Sequence, residues 1–404
     1  MNKKISVGIS VAIAAIAAAI AVIVTYNYTL TQFNDMLSGV SQREQNYTRI
    51  SELDSYVRGN YIGTPEEKTL LDSILRGYIV GIGDPYARYY TSAETVAQTT
   101  SDTGFIMGLG FTYEKDPQGY IKIIDVREGS DAEEKGIRAG DVIAAVNNND
   151  VMTFQGGYDE AVLLMNGPEG TRVKLYIKRI AADGVAEYTE YELTTTRTEI
   201  FTVFGEIAEG FGYIRITGFN DRTGVQLKNI SEELIKQGAK ALIIDLRGNT
   251  GGTIANLQSS VDVILGAGDV VTAVYKSREE VVVRTTEADF INMKTVVLVD
   301  DKTAGTAELF AFALRDHALA QIVGTATAGQ GLLQETHKLG SGGSVKISVA
   351  SLKTKSSGNF DKVGVKPDFE VKLPDGITLE QITPSNRMIN DTQFAKAVEV
   401  AGTL

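Results

Sequence analysis

The sequence contains no cysteine, which removes disulfides, thiolate metal sites and cysteine nucleophiles together. Its two histidines, His317 and His337, are too few for a histidine-based zinc site and do not stand at helical ligand spacing. No metal site and no cofactor is expected. Basic residues are also outnumbered: 39 Lys plus Arg against 51 Asp plus Glu leave a net charge of −12. That field repels nucleic acid, and no basic patch offsets it, so nucleic-acid binding is excluded as a function. What remains is ordinary for a folded protein. The hydrophobic fraction is 43% over 404 residues, enough for two or three domains with buried cores.

One long apolar run breaks the pattern. Met1-Asn2-Lys3-Lys4 precedes twenty uncharged residues, Ile5 to Val24, about the length that crosses a bilayer. Lysines before the run and none just after it place the amino terminus inside and the bulk of the chain outside. Residues 1–30 are therefore read as a single-pass membrane anchor, with Tyr26 and Tyr28 at the interface. A cleaved signal peptide is the alternative, although its apolar region is normally shorter. Both readings make the chain extracytoplasmic.

Residues 31–100 read as a helical segment. Asn34 to Asn60 is polar and helical, and Thr64-Pro65-Glu66-Glu67 starts a second helix. In that helix Leu70, Leu71, Ile74, Leu75, Tyr78 and Ile79 form an apolar face, which Gly81 to Pro85 terminates. From Gly104 to Arg179 the texture changes to short strands punctuated by glycine. Gly108-Leu109-Gly110-Phe111 precedes a strand from Tyr120 to Val126. Ala139-Gly140-Asp141-Val142-Ile143, a helix over Tyr158–Met165 and a strand over Arg172–Lys178 follow. Beyond about residue 195, strands over 211–216, 241–246 and 296–300 alternate with helices over 225–236, 253–265 and up to Arg315, which argues for an α/β core.

The glycine-punctuated unit resembles a PDZ domain, spanning 101–182. Glycines in such a loop let successive N–H groups converge on a carboxylate, and the adjoining strand edge accepts an extended peptide. The resemblance thus implies that Gly108, Leu109, Gly110 and Phe111 bind peptide C-termini, with Leu109 and Phe111 walling a pocket and also serving the core. Three further motifs resemble the carboxy-terminal processing, or tail-specific, serine proteases: Asp84-Pro85-Tyr86, Ala241 to Gly252 with its Asp245-Leu246-Arg247-Gly248-Asn249 centre, and Gly364-Val365-Lys366-Pro367-Asp368. The implied fold is a ClpP/crotonase-like α/β core over 183–382, an inserted PDZ domain, a helical amino-terminal segment, an amino-terminal transmembrane helix and a carboxy-terminal segment over 383–404.

In that family a serine attacks the peptide carbonyl and a lysine, neutral through burial, acts as base. Aligning on Glu308 puts Gly305 at the nucleophile position, and Asp316 falls at an acidic position the family also carries. The base position lies 25 residues on, at Gln330, while Gln334 matches a glutamine that assists the lysine. Glycine has no side chain with which to attack, and a glutamine amide is no base near neutral pH. The resemblance implies a backbone oxyanion hole at Gly251, Gly252 and the Thr306 N–H. Substitutes for the lost pair are Thr303 or Thr306 as nucleophile, Lys302 or Lys338 as base, or a His337–Asp316 dyad; none holds the family spacing.

The expected function is therefore that of a non-catalytic relative which binds C-termini of exported proteins at the cell membrane. An active relative, or a second copy in a homodimer, is an implied partner. The competing expectation is a working serine-type endopeptidase that trims such C-termini through a shifted dyad. A purely structural assembly role is a third, and it has no use for the Gly108–Phe111 loop.

Overall fold

The computed structural model describes residues 7–153, 157–180, 184–286, 290–340 and 342–404, without the side chains of 7–19 and 32–43. The chain divides into two compact units, Met1–Leu71 and Asp72–Leu404.

The first unit is dominated by one helix, Val7–Asn60. Near its end Arg58 bridges Asp54 at 2.7 Å and Glu67 at 2.5 Å. The expected anchor, Ile5 to Val24, falls mostly on residues 1–19, outside the described side chains. Among the described residues no helix is long and apolar enough to cross a membrane.

The helix Glu67–Gly81 starts in the first unit and ends in the second, where it buries Ile79 with Ala87 and Tyr89. Only part of its expected apolar face is covered, since Leu71, Ile74 and Tyr78 are exposed. The PDZ sheet runs, by first residue, in the order Phe111–Lys115, Ile121–Val126, Val142–Val146, Arg172–Ile180, Ala186–Thr194. Its core gathers Leu109, Ile121, Ile123, Ile143, Val173, Leu175 and Leu193. The helix Gly157–Met165 flanks its first strand, where Asn166 donates to the Tyr113 hydroxyl at 3.0 Å. The expected boundary at 182 cuts this sheet. Arg172–Ile180 and Ala186–Thr194 pair antiparallel over nine positions, so the sheet continues past that boundary. A two-stranded ribbon, Phe105–Gly108 with Thr196–Glu199, closes the domain.

The α/β core is built on a sheet of six strands: Val203–Ala208, Phe211–Ile216, Leu242–Asp245, Thr295–Val299, Ala320–Gly324 and Phe369–Glu370. All neighbours after the first pair run parallel. The first three crossovers contain helices, as the strand–helix alternation requires, whereas Ala320–Gly324 reaches Phe369–Glu370 through a stretch that holds strands and no helix. One face packs on the helices Thr223–Lys236, Ile254–Val261 and Thr306–Asp316. The other is covered by Thr392–Ala401, whose Phe394, Ala397 and Val400 meet Tyr213, Ile243, Val296 and Leu298. The helix Thr392–Ala401 of the expected carboxy-terminal segment 383–404 is therefore a layer of the core. A second sheet, absent from the sequence reading, carries Ser344–Thr354 between Leu332–Lys338 on one side and Arg88–Tyr90 and Gly268–Tyr275 on the other.

Candidate active site

The strand Thr295–Val299 is entirely apolar after Thr295 and fully buried. It ends in a tight turn whose hydroxyl, Thr303 Oγ1, donates within the pair Leu246 O at 3.0 Å and Asp300 Oδ1 at 2.9 Å and accepts from the Asp300 N–H. Gly305 follows at φ 59°, ψ −120°, directly before the helix Thr306–Asp316. A non-glycine residue in this region is strained by about 1–3 kcal/mol. Space is not the obstacle: a Cβ added to Gly305 would lie 3.6 Å from the Gln330 amide and 3.7 Å from Thr250 O. The two positions aligned with nucleophile and base thus face one another.

Glu308 holds them in that relation. It is fully buried, and Oε2 accepts from the N–H groups of Gly305 at 2.9 Å and Gln330 at 2.8 Å. Oε1 accepts from the Gly329 N–H at 2.8 Å and from the Thr327 hydroxyl. Thr327 Oγ1 in turn accepts from the Val365 N–H at 2.7 Å, which ties in the Gly364–Asp368 motif. Gln330 Nε2 donates to Gln334 Oε1 at 2.7 Å, and Gln334 Nε2 donates to Leu332 O at 2.7 Å and Ser348 Oγ at 3.4 Å. The Ser348 N–H reaches Asp84 Oδ2 at 2.9 Å, so the Asp84-Pro85-Tyr86 motif braces the same side. Burial opposes ionisation of Asp84, but the N–H groups of Ser348 and Tyr86 outweigh it and hold the carboxyl below its usual range.

The glycine-rich loop is anchored from below by charge. Arg247 is paired with Asp245 at 2.6 Å and Asp391 at 2.8 Å, all three buried, and Tyr213 donates to Asp245 at 2.7 Å. Burial works against each of these charges; the pairing prevails, lowering the Asp245 pKa and raising that of Arg247.

The oxyanion-hole expectation needs correction at two of three positions. The Gly251 N–H donates to Asn249 Oδ1 at 2.8 Å and the Gly252 N–H to Thr306 Oγ1 at 2.6 Å. With Gly251 at φ 92° the loop turns these donors inward, so neither is free for a substrate. The Thr306 N–H, first in its helix, makes no hydrogen bond among the described residues. Asp316 lies at the opposite end of that helix, roughly 15 Å along its axis, and accepts from the Ser356 N–H instead. His337 is exposed on its strand, as are Lys302 and Lys338, and no contact joins His337 to Asp316 among the described residues.

A cleft of about 920 Å³ contains Gly251, Gly252, Gly305, Thr306, Gln330 and Gln334. Ile200, Phe201, Ile254, Val281, Val283 and Leu332 supply apolar walls. Sequence reading missed Lys346 and Asp102 in this cleft. Burial raises the Asp102 pKa and Asp221 adds to it, against the Gln98 amide and the Lys346 charge. Nothing in the local pattern marked either residue, because distant strands and a helix bring them together.

In the PDZ domain Gly110 stands at φ 91° and a Cβ there would come within 2.5 Å of Ser130, so only glycine fits. Its carbonyl accepts from the Arg127 N–H at 2.9 Å. The N–H groups of Leu109 and Gly110 make no hydrogen bond among the described residues, and Phe111–Lys115 is the terminal strand of its sheet. Leu109 is 3% exposed and belongs to the core, while Phe111 is half-buried at its rim.

A PDZ domain followed by an α/β core whose cleft joins a strand–helix turn to a glycine-rich loop defines a peptidase scaffold. Comparison with known proteins agrees. Residues 210–371 match peptidase family S41 and residues 103–178 match the PDZ domain. These matches and the relatives that follow support a member of the carboxy-terminal processing protease family. The chain is 28% identical over 337 residues to the carboxy-terminal processing protease CtpA of Bacillus subtilis (strain 168), covering 83% of this chain and 71% of that one. It is 25% identical over 370 residues to a probable CtpA-like serine protease of Staphylococcus haemolyticus (strain JCSC1435), covering 90% and 73%. Among solved structures, the photosystem II D1 C-terminal processing protease aligns with a TM-score of 0.45 and 24% identity, over 80% of this chain and 87% of that one.

Proposed function

We propose that this chain is a non-catalytic member of its family, a membrane-anchored extracytoplasmic protein that binds the C-termini of exported proteins through its PDZ domain and holds peptide in its core cleft without cutting it. The observation that carries this reading is that Gly305 and Gln330 face each other across the cleft, bracketed by Glu308, with neither a nucleophile nor a base between them. The substitutes fare poorly. The Thr303 hydroxyl is buried and engaged on both sides, and the Thr306 hydroxyl is committed to the Gly252 N–H. The unpaired Leu109 and Gly110 N–H groups support carboxylate binding. The run Ile5 to Val24 supports the anchor.

The test is a gel-based cleavage assay of the full chain against an unfolded protein with an apolar C-terminus. The substrate should remain intact. Cleavage that disappears in Thr306→Val would overturn the reading in favour of a serine-type endopeptidase with a relocated nucleophile. For topology, mass spectrometry of the native membrane fraction should find Met1 or Asn2 at the amino terminus; a start near Thr25 to Thr31 means a cleaved signal.

A further inference from the structure

The orientation of the two cleft glutamines fixes which atom faces the centre of the site. A backbone carbonyl only accepts, so the Gln334 atom 2.7 Å from Leu332 O is the nitrogen. Gln334 then turns Oε1 toward Gln330, whose Nε2 donates to it at 2.7 Å. That leaves Gln330 Oε1 facing Gly305, 3.6 Å from where a Cβ would stand, with no hydrogen bond among the described residues. At this point the chain offers an acceptor and no donor. One residue beyond Gly305, the Thr306 N–H offers a donor without a partner. The edge of a strand runs beside them. Leu332, Leu333, Gln334, Glu335 and Thr336 all line the cleft. A register shift between Leu333 and Gln334 breaks the strict alternation of faces there, and the five consecutive lining residues run the strand lengthwise along the cleft. On that side it pairs with no strand among the described residues.

We propose that the cleft holds the interior of an extended peptide, with Gln330 Oε1 accepting one of its main-chain N–H groups. The inference rests on the non-catalytic reading above and names what the cleft selects. A peptide amide matches both groups, its N–H toward Gln330 and its carbonyl toward the Thr306 N–H, while the unpaired edge of Leu332–Lys338 bonds to the flanking residues. A terminal carboxylate has no N–H to give and sets an oxygen against Gln330 Oε1. The absence of a side chain at Gly305 leaves Gln330 Oε1 uncovered on that side, open to an amide that approaches from the cleft. Gln330 is then a specificity-determining residue for uncut chain, and the PDZ domain takes the free end.

The probe is a fluorescein-labelled apolar decapeptide, acetylated and amidated so that the PDZ loop has no carboxylate to hold. It is titrated against the full chain by fluorescence anisotropy. Gln330→Met keeps the length but loses the oxygen, and should bind roughly three- to tenfold more weakly, the worth of one neutral hydrogen bond. Gln330→Lys, which replaces the acceptor with a donor, should bind no better than Gln330→Met. N-methylating each peptide amide in turn should reveal one position that weakens binding to the parent but not to Gln330→Met. Thermal midpoints of both variants should match the parent. Equal affinity of parent and Gln330→Met, tighter binding by Gln330→Lys, or no binding of the blocked peptide would each overturn the proposal. Cleavage of the peptide, followed by mass spectrometry in the same samples, would overturn the non-catalytic reading itself.

Discussion

Glu308 gives the sharpest energetic prediction, because a single carboxylate holds the two halves of the cleft together. It is fully buried and accepts from the N–H groups of Gly305, Gln330 and Gly329 and from the Thr327 hydroxyl. A hydrogen bond to a charged group is worth roughly 1.5–3 kcal/mol, but four such bonds to one group do not add in full. Glu308→Ala leaves three backbone donors and a hydroxyl without their partner. The loss should be about 3–5 kcal/mol, the range for breaking a buried charged network. Glu308→Gln keeps the shape but turns one acceptor into a donor that faces two N–H groups at the Oε2 position, or one N–H and the Thr327 hydroxyl at the Oε1 position, so it should cost about 2–4 kcal/mol. Urea titration followed by circular dichroism reads the stability. Anisotropy of the blocked peptide reads the cleft separately, and its binding should weaken along with the register of residues 305 and 330. A Glu308→Ala variant within about 1 kcal/mol of the parent, with peptide binding unchanged, would refute the bracket.

Amidating a peptide's terminal carboxylate should weaken PDZ binding about tenfold or more, since charge-assisted bonds to the Leu109–Phe111 loop are lost; equal affinity for acid and amide would remove the carboxylate site. Because Asp84 is held below the usual carboxylate range, its contribution to stability is present above a pH of roughly 4 and fades as pH falls through its lower folded value. Asp84→Asn should therefore flatten the acid limb of the urea midpoint, and an unchanged limb would count against that linkage. Arg247→Met strands Asp245 and Asp391 in the interior and should cost about 3–5 kcal/mol; a loss below about 1 kcal/mol would show that the triad does not anchor the glycine-rich loop.

The parts of this molecule that were legible in the sequence are those with local signatures. The parallel strands Leu242–Asp245 and Thr295–Val299 are continuous apolar runs, the mark of strands buried on both faces. Glu308 served as a spacing marker, and the structure gives its physical role as the bond that sets that spacing. The second sheet was not legible, because Ser344–Thr354 and Leu332–Lys338 have mixed patterns that make sense only when paired. The end of the PDZ sheet was missed because Ala186–Thr194 carries mostly polar residues on an exposed hairpin. The place of the C-terminal helix was not legible either, because its Phe394, Ala397 and Val400 stripe has a partner only once the main sheet is formed. The oxyanion-hole assignment failed at Gly251 and Gly252 for a related reason. Sequence places glycines, but the direction of an N–H depends on partners such as Asn249 and Thr306 that only the folded loop supplies.

The central claim is that the core is inert because positions 305 and 330 lack reactive groups, within a cleft that still aligns them. The most direct measurement is labelling by a serine-reactive fluorophosphonate in the parent, Gly305→Ser, Gln330→Lys and the double variant. A serine at 305 enters a strained backbone region at a cost of about 1–3 kcal/mol, yet its Cβ meets nothing closer than 3.6 Å. A lysine at 330 finds Gln334 Oε1 ready to accept from it. Nucleophile and base act as a unit, so either one alone should recover little. The account predicts no labelling of the parent or the single variants and labelling of the double variant. Robust labelling of the parent, abolished by Thr306→Val, would contradict it.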